Sequence, residues 1–147
     1  MAEFDEEFHG NRGAGILFVA KTTGRILLNL RSEDVNEPGT WGIFGGAIES
    51  GEDPWKAAYR ECKEEIGIKA PVVYNELLYL FRHPSGFKYY NFLALVEEEF
   101  RPRLNWESDK AKWFQVNQLP RPLHPGVQEL LKKKRTVLLG LVNSLGK

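Results

Sequence analysis

Three glutamates lie close together in a segment with helical periodicity. Glu61, Glu64 and Glu65 are separated by steps of three, one and four residues, so at about 100° per residue they are expected to share one arc of the helix surface, away from its apolar arc. Like charges at this spacing repel each other, and a hard divalent cation, which prefers oxygen ligands, would relieve that repulsion. Gly45 and Gly46 allow a tight backbone turn whose carbonyls could approach the same cation. The cluster therefore indicates either a cation site or a solvated acidic face, and the three residues alone leave both interpretations open.

The spacing of the residues around this cluster is far more specific. Gly46 is followed after five residues by Glu52, and after seven more by the segment 60–68, RECKEEIGI. This pattern resembles the Nudix box, Gx5Ex7REUxEExGU, in which U is a bulky apolar residue. Every fixed position is matched; Cys62 stands where an aliphatic residue is usual, and a free cysteine packs as a small hydrophobe. So many matches at fixed spacing favour the cation site over the acidic face.

The resemblance continues outside the box with weaker motifs. The segment 41–46, WGIFGG, is similar to the family's W-x-x-P-G-G approach, with Phe44 where proline is common. The region from Glu107 through Trp113, followed by Leu119-Pro120, is similar to the family's late acidic loop, Trp-bearing strand and Leu-Pro turn. The similarity thus covers about residues 13–131 in the order of elements, with strict motif support only in the box.

The resemblance implies metal-assisted hydrolysis of a pyrophosphate in a nucleoside diphosphate linked to another group. The cofactor it implies is Mg²⁺, for which Mn²⁺ could substitute, because cations neutralise and orient the oxygens of a phosphoanhydride for attack by water. It further implies that Glu61 and Glu65 are the principal metal ligands. Glu64 and the Gly45 carbonyl would complete the inner shell, directly or through water.

The family pattern also implies roles for residues around the metal. Glu52 and Arg60 would form a pair that holds the loop against the helix rather than taking part in the chemistry directly. The general base would be a glutamate of the box or of a late loop, and Glu65, Glu64 and Glu107 all stay open for this role.

Three residues outside the box are candidates for substrate binding. Arg31 follows the second predicted strand, where relatives often place a basic residue near the substrate phosphate, although a solvated arginine at a strand end fits equally well. Phe87 and Tyr89 could stack on a nucleobase, although aromatic residues in such strands more often fill one face of a sheet.

Composition and charge limit the class of protein. The chain has 147 residues, 42% of them hydrophobic, which predicts one domain over residues 1–147, with a leader over 1–12 and a C-terminal helical extension over 132–147. Twenty Lys and Arg balance twenty Asp and Glu, which removes the global electrostatic argument for a nucleic-acid binder. With one cysteine, an acidic N-terminus and no apolar run of ~20 residues, a cytoplasmic protein with no membrane segment is expected.

Local patterns predict an α+β fold. The resemblance implies that this fold is an α/β/α sandwich, in which helices flank a mixed β-sheet. Strands are expected over 14–20, 25–30, 41–46 (running into a loop), 72–82, 87–96 and 111–116, and helices from Asp53-Pro54 to Gly67 and from His124 onwards.

The expected partner is a small-molecule nucleotide, with nucleoside triphosphates and nucleotide sugars such as ADP-ribose as the leading substrate classes, and a homodimer is left open. One alternative is a catalytically silent module that senses a nucleotide, whose usual mark, loss of box carboxylates, is absent here. A second is a pyrophosphohydrolase of RNA 5′ ends or caps. It would need a basic channel, for which the run 132–135, KKKR, is the main support.

Overall fold

The computed structural model describes residues 12–145, so the predicted leader lies almost entirely outside the described residues. Within this range the chain forms seven strands and two helices. The strands are β1 (Arg12–Ala20), β2 (Ile26–Arg31), β3 (Trp41–Gly42), β4 (Phe44–Ala47), β5 (Val72–Arg82), β6 (Lys88–Val96) and β7 (Ser108–Phe114), and the helices are α1 (Pro54–Ile66) and α2 (Pro125–Leu145). Neither described helix is long and apolar enough to cross a membrane.

The strands form one mixed sheet in which β1 is central. Along its whole length β1 pairs in parallel with β6, and β5 pairs antiparallel with β6 on the far side. The other edge of β1 is shared, because β4 pairs with its first half and β2 meets it at Val19 and Ile26. β2 in turn pairs antiparallel with β3 and β7. This arrangement places the C-terminal end of β2, all of β4 and the start of β1 in one region of the sheet.

One helix covers each face of the sheet. Since successive strand residues point to opposite faces, Ile16 and Phe18 of β1 pack on the side of α1, whereas Leu17 and Val19 pack on the side of α2. The contacts of α1 come from Ala58, Cys62 and Ile66, and those of α2 from Val127, Leu130, Leu131 and Leu138. The predicted sandwich of helices around a mixed sheet is confirmed.

Helix α1 begins and ends where its local sequence predicts. The Asp53 side chain accepts a hydrogen bond from the Lys56 amide at 3.1 Å, and Pro54 occupies the first turn, where no amide donor is needed. Gly67 ends the helix with φ of 71°, and its amide donates to the Lys63 carbonyl. These caps hold the glutamate cluster on a helix of defined start and length.

Two predicted strands differ from the observed ones. The segment 41–46 is not one strand running into a loop but two short strands, β3 and β4, which pair with different neighbours, β2 and β1. The strand predicted over 111–116 lies at Ser108–Phe114, because its register is set by β2, from Arg31 opposite Ser108 to Ile26 opposite Phe114. The alternation of apolar residues alone does not predict that β7 pairs with β2.

Candidate functional site

Glu52 and Arg60 form the pair that the resemblance to the Nudix box implies. Arg60 makes a bidentate interaction with Glu52, donating from Nε to Oε2 at 2.8 Å and from Nη2 to Oε1 at 3.0 Å. Hydrogen bonds from Arg60 and from the Glu49 amide lower the pKa of Glu52 to about 2. Arg60 also donates to the Ala47 carbonyl at 3.2 Å. The loop between β4 and α1 is therefore tied to the helix by a charged side chain that stays ionised.

Glu61 lies against the backbone of β4. A Cβ atom on Gly46 would lie 2.5 Å from Glu61 Cδ and 2.6 Å from Oε2, so this approach requires glycine at position 46. Arg60 Nη1 donates to Glu61 Oε1 at 3.0 Å. Burial raises the pKa of Glu61, as do the nearby charges of Glu64 and Glu107, while Arg60 opposes that rise. The carboxylate is thus half-enclosed and crowded by other carboxylates.

Glu65 is buried, with 4% of its surface exposed. Its Oε1 accepts a hydrogen bond from the Gly45 amide at 3.2 Å, and its Oε2 has no hydrogen-bond partner in the structure described. Burial raises the pKa of Glu65 well above its usual value, and the charges of Glu107 and Glu61 raise it further. A buried, half-satisfied carboxylate is costly unless a cation or a proton compensates it.

The prediction that Glu61, Glu64 and Glu65 share one exposed arc, away from the apolar arc, is wrong for Glu65. The Glu64 side chain is 60% exposed, as a solvated arc requires, whereas Glu65 is covered by two segments from elsewhere in the chain. β4 contacts its carboxylate, and the loop before β7 lies over its backbone, where the Asn105 amide donates to the Glu65 carbonyl at 3.3 Å.

The loop before β7 brings Glu107 to the box. The Glu107 amide donates to Asn105 Oδ1 at 3.0 Å, and its carbonyl accepts from the Ser32 amide at 3.0 Å. Burial raises the pKa of Glu107, whereas the nearby charge of Arg31 lowers it. Arg31 is itself held by a 2.7 Å hydrogen bond from Nε to the Asn36 carbonyl. Glu107 and Arg31, distant in sequence from the box, are therefore electrostatic neighbours of its glutamates.

The donor set suits a hard cation, although the side chains are not yet arranged around one point. Among residues 12–145, no three acidic, histidine or cysteine side chains converge closely enough to hold a metal ion as they stand. Instead, Arg60 holds one oxygen of Glu61 and the Gly45 amide holds one of Glu65. The unpartnered Oε2 of Glu65 beside other crowded carboxylates is the arrangement that a divalent cation with oxygen ligands would relieve.

A cavity of about 400 Å³ opens beside the carboxylates. The predicted substrate residues Arg31, Phe87 and Tyr89 all line it, together with Glu107. The residues that complete its lining are Arg12, Gly13, Asp34, Val35, Asn36, Ile43, Gly45, Gly46 and Ala47. The structure thus joins the predicted substrate residues to Glu107 in one cavity, whereas Glu61 and Glu65 lie at its border, against Gly46 and Gly45.

Tyr89 lies across three glycines. A Cβ atom on Gly15 would lie 2.5 Å from Tyr89 Oη, one on Gly45 2.6 Å from it, and one on Gly13 2.8 Å from Cδ2. These glycines therefore make the space that the tyrosine ring occupies. Neither this relation nor the position of Arg12 is predicted from the sequence, because neither belongs to a motif. The glycines at 13 and 15 are the only sequence signal for the space beside Tyr89.

Comparison with known proteins decides the family. The NUDIX domain model matches residues 10–134, which is most of the chain. The chain belongs to the NUDIX family. A NUDIX relative from Mycobacterium tuberculosis, named a putative 8-oxo-dGTP diphosphatase 3, is 32% identical over 134 residues, covering 84% of this chain and 61% of the relative. The chain thus spans about three fifths of that relative's length.

Two further matches agree with this assignment. A human diphosphoinositol polyphosphate phosphohydrolase is 30% identical over 142 residues, covering 88% of this chain and 74% of that protein. The crystal structure of a MutT NUDIX hydrolase from Burkholderia pseudomallei superposes with a TM-score of 0.67 at 29% identity, covering 83% of this chain and 95% of that one. The resemblance inferred from the box is therefore confirmed, and the named substrates of these relatives differ from one another.

Proposed function

We propose that this NUDIX protein is a cation-dependent pyrophosphohydrolase that cleaves a nucleoside diphosphate linked to another moiety by attack of water on phosphorus. The observation that carries the proposal is Glu65, a buried carboxylate with an unpartnered oxygen, crowded by Glu61 and Glu107 at the edge of a cavity lined by arginine. Carboxylates whose pKa values are raised by burial and by neighbouring like charges are typical of functional sites. The alternative of a silent sensing module gains nothing from the structure, because all box carboxylates are present.

Glu61 and Glu65 would hold Mg²⁺ or Mn²⁺, with Glu64 and the Gly45 carbonyl completing the set. When bound, the cation would neutralise charge on the phosphoanhydride and orient its oxygens. The chain's own contribution is rigidity: Gly46 lets the Glu61 carboxylate lie against β4, and Arg60 holds it there. Glu52 would act as a positioning residue, because it fixes the Arg60 guanidinium from the opposite side.

Glu107 is the candidate for the general base that we favour over Glu64 and Glu65. Of the three, Glu107 alone is among the residues that line the cavity. Burial raises its pKa, which makes the ionised carboxylate a stronger proton acceptor for an attacking water. The hydrogen bonds that anchor its backbone to Asn105 and Ser32 would keep it in place during turnover.

Arg31 would bind a substrate phosphate, and the cavity that it lines provides a second cation, Arg12, for the same purpose. Phe87 and Tyr89 line the same cavity and would contact the remainder of the substrate. The RNA alternative is disfavoured because the basic run 132–135 lies on α2, which packs on the face of the sheet opposite α1. A small-molecule nucleotide is therefore the proposed substrate; the cytoplasmic location and the homodimer stay predictions.

A phosphate-release screen tests the proposal. The panel would contain nucleoside triphosphates, nucleotide sugars, diphosphoinositol polyphosphates and 5′-triphosphorylated RNA, each with Mg²⁺, with Mn²⁺ and with EDTA after removal of bound metal. We expect turnover of at least one nucleotide in Mg²⁺, none in EDTA, and recovery when Mg²⁺ is restored. Full turnover in EDTA would contradict the mechanism, and tight nucleotide binding without turnover in any arm would favour the sensing module. Lys133→Ala, on α2, is the control that should change turnover only if RNA is the substrate.

A further inference from the structure

Trp106 differs from the other tryptophans of the chain. Trp41 is buried, and Trp55 and Trp113 pack against the core, whereas 64% of the Trp106 surface is exposed. A single exposed apolar side chain is ordinary on a protein surface, so exposure alone carries no argument. The position of Trp106 is more informative, because this residue immediately precedes Glu107, which lines the cavity.

The backbone on both sides of Trp106 is anchored to the site. The Asn105 amide donates to the Glu65 carbonyl at 3.3 Å, and the Glu107 carbonyl accepts from the Ser32 amide at 3.0 Å. The Asn105 side chain closes the turn by accepting from the Glu107 amide at 3.0 Å. Trp106 is therefore held in a short turn whose two ends are fixed to the metal-site helix and to the end of β2. Because the backbone of this turn is already anchored, binding of a ligand to Trp106 would not have to order the loop.

Trp106 lies outside the cavity, while its neighbour Glu107 lies on the cavity wall. If the phosphate chain of a substrate binds at Glu107 and the neighbouring carboxylates, a group attached to it on the side of the turn 105–108 would meet the exposed indole of Trp106. The face of an indole can stack on a planar π-system such as a nucleobase. It carries no positive charge that would attract a phosphorylated ring that lacks a π-system.

We infer that Trp106 is a specificity-determining residue that stacks on a nucleobase of the substrate, on the part of the substrate that lies outside the cavity. The inference rests on the proposed function and deepens it, because it names a residue that would distinguish nucleotides from phosphorylated inositols, which have no π-face. Trp106 acts on binding, and the carboxylates act on the phosphate chain.

Fluorescence quenching tests the contact directly. Acrylamide should quench mainly Trp106, because the other three tryptophans are buried or partly buried, and Trp106→Phe should lose most of the quenchable signal. A methylene-bridged nucleoside triphosphate analogue with Mg²⁺ should protect the wild-type signal from acrylamide, whereas inorganic tripolyphosphate, which has no base, should not. Protection by both probes, or by neither when both bind, overturns the inference.

Calorimetric affinities separate stacking from a structural role. Trp106→Ala should weaken binding of the nucleotide analogue by roughly 5- to 150-fold and leave the affinity for tripolyphosphate within about twofold. Trp106→Phe should recover most of the loss, and Val137→Ala, at an exposed apolar position on α2, should change neither affinity. Equal weakening of both probes would show that the residue merely supports the loop and would overturn the inference. Unaltered nucleotide binding in Trp106→Ala overturns it while the proposed function stands, and a wild-type protein that binds neither probe overturns both.

Discussion

Replacing Gly46 by alanine tests whether the position of Glu61 matters. The added Cβ atom would lie 2.5 Å from Glu61 Cδ and 2.6 Å from Oε2, whereas an ordinary van der Waals contact begins at 3.4 Å. The carboxylate must therefore move by about 0.9 Å. The atoms in conflict belong to the end of a flexible side chain, so the helix and strand can stay where they are.

The expected effect is large on activity and small on stability. Metal–ligand distances tolerate about 0.2 Å, and a displacement near 1 Å at a catalytic site costs roughly 100-fold in rate. We expect kcat/KM of Gly46→Ala to fall by about 100-fold, which corresponds to ~2.7 kcal/mol of transition-state stabilisation. The free energy of unfolding without metal should change by less than about 1 kcal/mol, as for a substitution that only shifts a side-chain end.

The assay combines Mg²⁺ titrations of turnover with thermal melts in EDTA. Gly140→Ala is the matched control: it lies in α2 with open space around the new Cβ atom, so it should stabilise the protein by about 0.5–1 kcal/mol and leave turnover unchanged. Gly45→Ala gives the contrast, because its Cβ atom would overlap the Ala14 carbonyl and lie 2.5 Å from Gly15 Cα, so the β1–β4 pairing itself must yield. If Gly46→Ala kept wild-type turnover and Mg²⁺ dependence, Glu61 would not be a ligand of consequence.

Two further substitutions separate the metal ligands from their support. Glu52→Gln should lower kcat by roughly 10-fold or more, because Arg60 is then held less firmly. Its Mg²⁺ affinity should remain measurable by calorimetry, since Glu61 and Glu65 are unchanged. Loss of metal binding as complete as in Glu65→Gln would make Glu52 a ligand instead. Glu65→Gln should abolish most turnover and, in EDTA, raise stability by about 1–3 kcal/mol, because it removes a buried charge that Glu107 and Glu61 repel. Each kcal/mol of this gain should raise Tm by roughly 2–4 °C. With Mg²⁺ the wild type should become more stable than Glu65→Gln, because the cation stabilises the wild type alone. Melts of both proteins with EDTA and with Mg²⁺ decide this, and an equal Mg²⁺ response in the two would argue against Glu65 as a ligand.

Several features follow from local sequence alone. The bounds of α1 depend on Asp53, Pro54 and Gly67, which act within one turn of the helix ends, so they could be predicted to the residue. The hairpin of β5 and β6 follows from two apolar runs around the turn at 83–86. The pairing of Glu52 with Arg60 is implied by the resemblance to the Nudix box, whose positions can be read from the sequence.

Other features depend on contacts between distant segments. Contacts between residues far apart in sequence determine three features of the sheet. They are the parallel pairing of β1 with β6, the division of 41–46 into two strands and the register of β7. The position of Arg12 on the cavity wall depends on the same pairing, because β1 begins beside β6 at the cavity. Hydrophobic alternation specifies which face of a strand is buried, but not which strand lies beside it.

The glutamate cluster shows where the two kinds of information meet. The sequence by itself determined the family, the helix that bears Glu61, Glu64 and Glu65, and the carboxylate chemistry that they share. Only the tertiary structure decided that Glu64 stays exposed while Glu65 is buried with an unpartnered oxygen, and that Glu107 lies near both. The reason is physical: helical periodicity sets the direction of a side chain from its own helix, whereas its burial is set by whatever packs against that helix, here β4 and the loop before β7.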